Sequence, residues 1–284
     1  MPSLETDDGR TLAWRELGSG PLLLLHCGGP GFSSLYFGDL PELAAERTLL
    51  LLDPRGTGGS SRPPDPSAYD LEDYVADVET LREHLGLDRI DLLGHSHGGF
   101  VAIVWAGTHP DRVGRLVLAS TATRFTDEIR QRRLAPIATH QGRPYFEDAV
   151  AALQDQQSGN YSSDEELLAL YERAGRVLVP LGTDVEPVGR ALLAAGINAD
   201  TMRHFNNSIA AGMDLRPFLP RIEAPTLVLT AVDDAFGGPT AEEIAAALPD
   251  STSAVVPGDH FSFLEPDNRA AWCGAVLEFL GVPG

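Results

Sequence analysis

The chain has 284 residues, 41 of them acidic against 21 basic, for a formal net charge of -20. This length suits one large domain, or a domain carrying an insertion, with room for a sizeable core. The acidic balance and the lack of any basic run argue against nucleic acid and anionic membranes as partners.

Taken in order, Asp7-Asp8-Gly9-Arg10 reads as a hairpin turn before a strand over Leu12–Leu17. Leu22–His26 and Thr48–Leu52 are short apolar runs that suit buried strands. Leu71, Tyr74, Val75, Val78, Leu81 and Leu85 mark one face of an amphipathic helix, which Gly86 ends. Ile90–Leu93 and Leu116–Leu118 are further buried strands. Repeated strand–helix units predict a parallel sheet covered on both faces. From Ala122 to Asp214 the pattern turns helical. Ser163-Asp164-Glu165-Glu166 has the form of a capping box. Thr183–Gly196 and Asn198–Gly212 read as additional helices. Residues 122–214 are therefore expected to form a helical cap, inserted after the sixth strand of a core made of 1–121 and 215–284. Pro225–Thr230 and Ala254–Val256 supply the last strands, and Cys273 falls in a closing helix.

The chemistry concentrates at strand ends. Gly94-His95-Ser96-His97-Gly98 follows the Ile90–Leu93 strand and precedes a small, apolar helix start. A serine at such a strand–turn–helix corner is a nucleophile elbow. The turn is tight enough to require small flanking residues, and it pushes the hydroxyl out at the end of the sheet. A serine hydroxyl is a weak nucleophile at neutral pH, so a histidine must take its proton and a carboxylate must orient that histidine. The chain supplies them in the order this fold class uses: Ala231-Val232-Asp233-Asp234 past one strand, then Pro257-Gly258-Asp259-His260 past the next. Alternation sends Asp233 and Asp234 in different directions, so only one reaches His260. Upstream, Cys27-Gly28-Gly29-Pro30-Gly31 follows the Leu22–His26 strand. Glycines there let the backbone approach a substrate and aim N–H groups at a developing oxyanion.

Four segments carry a family resemblance: Cys27–Gly31, Asp53-Pro54-Arg55-Gly56-Thr57-Gly58-Gly59-Ser60, Gly94–Gly99 and Asp259–Pro266. Through them the chain resembles the proline iminopeptidase-like branch of the α/β-hydrolase superfamily. The resemblance implies a mostly parallel eight-stranded sheet with helices on both faces. It also implies an oxyanion hole formed by the N–H groups of Gly29 and His97. In that family the carboxylate lies three positions after a strand-ending glycine; Ala231 holds that glycine's place here, which selects Asp234. Two departures stand out. Cys27 occupies the position of the family's loop histidine, and His97 that of the tryptophan after the serine in the iminopeptidases.

The expected catalytic set is thus Ser96, Asp234 and His260. The resemblance points to release of an amino-terminal residue, typically proline, from small peptides or amides. The other readings are a carboxylesterase or lactonase on a small apolar ester, a lyase or haloperoxidase-like activity on the same triad, and, in a different class, a low-turnover small-molecule receptor on the same fold. An amine-binding pocket needs acidic groups, and residues 122–214 hold 13 acidic and 9 basic side chains. No cofactor is expected. All 21 basic residues are arginine, which rules out a lysine Schiff base, a Ser–Lys dyad and a P-loop. No metal is expected either, because the histidines are scattered and His95 and His97 lack a third ligand at a suitable spacing. His95 is read as elbow packing, His97 as a residue that lines the pocket, and Cys27 as buried packing rather than a second nucleophile. No signal-like segment and no apolar run near 20 residues is seen, so a cytoplasmic enzyme acting on a small molecule or short peptide is expected.

Overall fold

A computed structural model describes residues 1–65 and 67–281. Pro66, the last residue of the stiff Ser61–Pro66 rim expected near the active end, lies outside them. Eight strands form one sheet in the order β1-β2-β4-β3-β5-β6-β7-β8. β1 (Ser3–Glu5) and β2 (Thr11–Gly18) are the antiparallel pair at one end. β3 (Leu22–His26), β4 (Thr48–Leu52), β5 (Ile90–His95), β6 (Val113–Ala119), β7 (Thr226–Ala231) and β8 (Ser251–Val256) run parallel. The apolar runs occupy the middle of this sheet, and Leu23, Leu24, Leu25, Leu92 and Leu93 are fully buried. A strand covered on both faces has no polar side to show, which is why these segments lack alternation.

Helices cover the sheet from either side. They are α1 (Pro41–Ala44), α2 (Leu71–His84), α3 (His97–Thr108), α9 (Gly238–Ala247) and α10 (Pro266–Leu280), with α4 to α8 in the segment described below. α2 buries Leu71, Tyr74, Val75, Val78 and Leu81, the stripe read from the sequence, and Gly86 follows its end at φ +66°. α3 is buried along nearly its whole length, hence its small and apolar sequence. One core lies between α2, α3 and the sheet; a second, on the other face, includes Cys27, Tyr36, Phe263, Trp272 and Cys273.

Between β6 and β7 the described residues form no strand. The chain instead makes α4 (Asp127–Leu134), α5 (Phe146–Gln157), α6 (Asp164–Gly175), α7 (Glu186–Ala195) and α8 (Ala199–His204), the last running into a π-helical turn over Phe205–Ile209. Ser163 caps α6 by accepting from the Glu166 N–H, while the Glu166 carboxylate turns to the Ser162 N–H rather than closing the box on Ser163. Asn198 caps α8 through the N–H groups of Asp200 and Thr201. Its own N–H donates to the Gly31 carbonyl at 2.9 Å, and Ser33 Oγ donates to the Ala195 carbonyl at 2.9 Å. These bonds tie the helical segment to the loop after β3.

Candidate active site

Ser96 sits between β5 and α3 with φ +55° and ψ −117°. This left-handed backbone is strained for a residue with a side chain, and the packing around the corner imposes it. A Cβ at Gly94 would lie 2.3 Å from the Gly98 carbonyl oxygen, and one at Gly98 would lie 2.0 Å from that of His26. Neither position admits any other residue. Gly28 is equally constrained from the opposite loop, since a Cβ there would come within 2.9 Å of the Ser96 Cβ. The glycine loop after β3 thus lies directly against the serine.

Asp234 and His260 meet at the ends of β7 and β8. His260 Nδ1 lies 3.2 Å from Asp234 Oδ1. Asp234 is 1 % exposed, and its Oδ1 also accepts from the N–H groups of Phe236 (2.9 Å) and Gly237 (3.0 Å). Burial alone would raise the Asp234 pKa. The imidazole and the two N–H groups outweigh it and hold the carboxyl well below the usual carboxylate range. Asp233, in the turn after β7, is exposed to solvent. The structure therefore brings the expected acid to the histidine. Among the described residues the Ser96 hydroxyl makes no hydrogen bond, so the serine–imidazole bond is unformed; such bonds are often long before substrate enters.

The backbone N–H groups of Gly29 and His97 also make no hydrogen bond among the described residues. Both donors are left without a partner, His97 directly after Ser96 and Gly29 directly after the Gly28 that meets it. The His97 side chain is buried against Tyr74, Phe100 and Phe205, with ring centroids 5.3–5.6 Å apart. Burial, then the nearby His26, lowers its pKa to about 3. His26 packs with Tyr74 on one face of the sheet, while Cys27 lies in the core of the other face and donates its thiol to the Phe32 carbonyl. Cys27 is fully buried, and burial pushes its thiol pKa well up, the opposite of what a reactive thiolate needs.

His95 does more than pack. Its Nε2 lies 2.9 Å from the His260 carbonyl oxygen, and its Nδ1 lies 2.9 Å from the Tyr36 hydroxyl. A carbonyl only accepts, so Nε2 carries the proton and Nδ1 accepts from Tyr36. Burial, with His260 adding to it, holds His95 neutral. A Tyr36–His95 relay thus grips the backbone of His260. Sequence reading missed Tyr36 altogether. It stands 59 residues before its partner, and no local pattern joins them. Phe236 was missed for the same reason; its ring stands edge-on to His260 at 5.5 Å.

A serine on a strained corner, an imidazole held by a buried carboxylate and two free backbone donors are together suited to acyl transfer. The model of the alpha/beta hydrolase fold family matches residues 21–267. The chain belongs to that family. A proline iminopeptidase of Lactobacillus helveticus (strain DPC 4571) is 31% identical over 259 residues, covering 86% of this chain and 85% of the relative. Among solved structures, a hydrolase from Pseudomonas aeruginosa PA01 superposes with a TM-score of 0.72 at 31% identity, covering 99% of this chain and 98% of the other. The esterase RhEst1 from Rhodococcus sp. ECU1013 reaches 0.74 at 22% identity, with 99% and 98% covered, a likeness of fold alone. This α/β hydrolase is a hydrolytic enzyme of the proline iminopeptidase-like branch. No helix among its described residues is long and apolar enough to cross a membrane.

Proposed function

We propose that this α/β hydrolase releases an amino-terminal residue, proline or one like it, from short peptides or amides through an acyl-enzyme. The observation that carries the chemistry is the strained left-handed Ser96 at a glycine-locked corner beside Gly28. Ser96 attacks the carbonyl. His260 takes its proton and later passes it to the leaving amine. Asp234 keeps the imidazole in the Nδ1–H tautomer and stabilises the imidazolium. The N–H groups of Gly29 and His97 receive the oxyanion, where preorganised donors do most to lower the barrier. Residues 122–214 act as a cap that excludes water and shapes the pocket. The likeness to proline iminopeptidases supports the peptide substrate.

A second reading is a carboxylesterase or lactonase. Phe100, Phe125, Phe205 and Phe236 form one aromatic cluster that reaches the His260 ring, a wall suited to an apolar acyl or alcohol group.

The test combines a fluorophosphonate probe with a substrate panel. The probe is expected to label wild type at Ser96 and not label Ser96→Ala. Turnover should fall on the order of 10⁴–10⁶-fold in that variant. Undiminished labelling of Ser96→Ala refutes the nucleophile. Amino-acid anilides, short acyl esters and lactones then separate the two substrate readings, the peptidase reading requiring that prolyl anilide be turned over fastest.

A further inference from the structure

Beside the site lies a cavity of about 240 Å³, lined in part by Phe125, Ile129, Arg130, Arg133, Leu134 and Leu178. It is smaller than the roughly 300–1,000 Å³ that encloses a whole drug-sized ligand, so it suits one end of a substrate. Phe236 links its lining to the catalytic histidine through ring contacts. The Phe125 and Phe236 rings are 5.7 Å apart, and Phe236 meets His260 at 5.5 Å. Phe125, which lines the cavity, is 39 % exposed.

The charges around this cavity are uneven. Arg124 pairs with Glu243 at 2.7 Å, Arg130 with Asp127 at 3.3 Å and Arg132 with Glu128 at 2.8 Å. Arg133 has no carboxylate partner among the described residues. Its guanidinium lies over the Phe236 ring, 6.0 Å from the centroid. Arg133 is exposed and lines the cavity, so its guanidinium is open to a ligand there. Its planar fork matches a carboxylate in two-pronged fashion.

We infer that this cavity is the leaving-group subsite and that Arg133 holds a carboxylate on the leaving group. The inference rests on the hydrolase reading above. His260 hands its proton to the departing atom, so the leaving group must lie on the His260 side, and Phe236 forms that side. Two ring contacts, 6.0 and 5.5 Å, separate the guanidinium from the imidazole. An extended chain advances about 3.3–3.6 Å per residue, so the spacing fits the free carboxylate of a leaving group one to three residues long. The preferred substrates are then di- to tetrapeptides with an unblocked carboxyl end and an apolar residue after the scissile bond. Longer or amidated peptides do not use the arginine.

The experiment uses substrates matched except for the leaving-group charge: prolyl-phenylalanine against prolyl-phenylalanine amide, and 4-acetoxyphenylacetate against its amide. Wild type should favour the carboxylate member of each pair. Arg133→Gln should reduce that preference about tenfold, through KM rather than kcat, and Arg133→Lys should restore part of it. The ratio within a pair cancels any general damage to the enzyme. A preference unchanged in Arg133→Gln, or a wild type that favours the amides, overturns the inference. So does a wild type that labels at Ser96 yet turns over neither carboxylate substrate. Failure of Ser96 to label at all instead strikes the hydrolase reading on which the inference rests.

Discussion

The glycines around Ser96 and those of the 122–214 segment live in opposite surroundings. At Gly94, Gly98 and Gly99 a methyl group would press to within 2.0–2.4 Å of existing atoms. At Gly142, Gly159, Gly175, Gly182, Gly189, Gly196 and Gly212 it would meet nothing within 4 Å. The serine corner is held by close packing that leaves no freedom. The helical segment is held by apolar side chains such as Leu153, Leu167, Leu170 and Met202, buried in one cluster with Phe32 and Tyr36, and by the bonds of Asn198 and Ser33 to the loop after β3 and to Ala195. At the serine corner the glycines are fixed by contact, and in the 122–214 segment they stand in open space.

The sharpest test of this contrast is inside the rigid region. Asp234→Asn should lower kcat by about 10³–10⁴-fold, because the amide favours the wrong imidazole tautomer. Asp233→Asn, at the exposed neighbour, should stay within a few-fold. Steady-state kinetics on the two variants decides it, and the reverse ranking would mean a shifted loop register.

Next comes the corner itself. Gly98→Ala drives a methyl into the His26 carbonyl and should cost several kcal/mol, enough to leave little folded protein. Urea denaturation measures this, and a folded, active Gly98→Ala would break the comparison outright.

The buried histidines give a pH dependence. Burial lowers the pKa of His26 to about 4 and of His97 to about 3. The unfolded chain takes up protons on these rings below pH 6.5, roughly, while the folded chain does not. Stability is therefore fully present above that pH and is lost as pH falls toward 4 and then 3. Each proton steepens the loss by about tenfold in the folding constant per pH unit. Denaturation midpoints between pH 7 and 4 should fall, and His97→Phe should flatten the slope. A flat wild-type profile would contradict the burial of these rings.

A smaller effect is expected from Tyr36→Phe. It strips the partner from His95 Nδ1 and should destabilise by about 1–3 kcal/mol. The smallest belongs to the 122–214 segment. Gly189→Ala, inside α7 with open space around it, should stabilise by about 0.5–1 kcal/mol with kcat unchanged.

Most of the fold was legible because its signals are local. Fully apolar runs mark the central strands, and the stripe from Leu71 to Leu81 marks α2. The small residues around Ser96 and the Ala231–Asp234 spacing are likewise written in contiguous sequence. The helices of the 122–214 segment were legible as helices, but with looser ends. The expected helix over Asn198–Gly212 is α8 followed by a π-helical turn, a change in hydrogen-bond register that composition does not encode.

By itself, then, the sequence determined the sheet, the corner serine, the order in which acid and histidine follow it, and the family. Each depends on residues adjacent in the chain, whose backbone and side-chain preferences are set by near neighbours. Only the tertiary structure decided that Tyr36 and His95 grip the His260 backbone and that Phe236 stands between His260 and Arg133. Those relations join segments tens to hundreds of residues apart. Their distances follow from how the helices and loops pack at the ends of the strands.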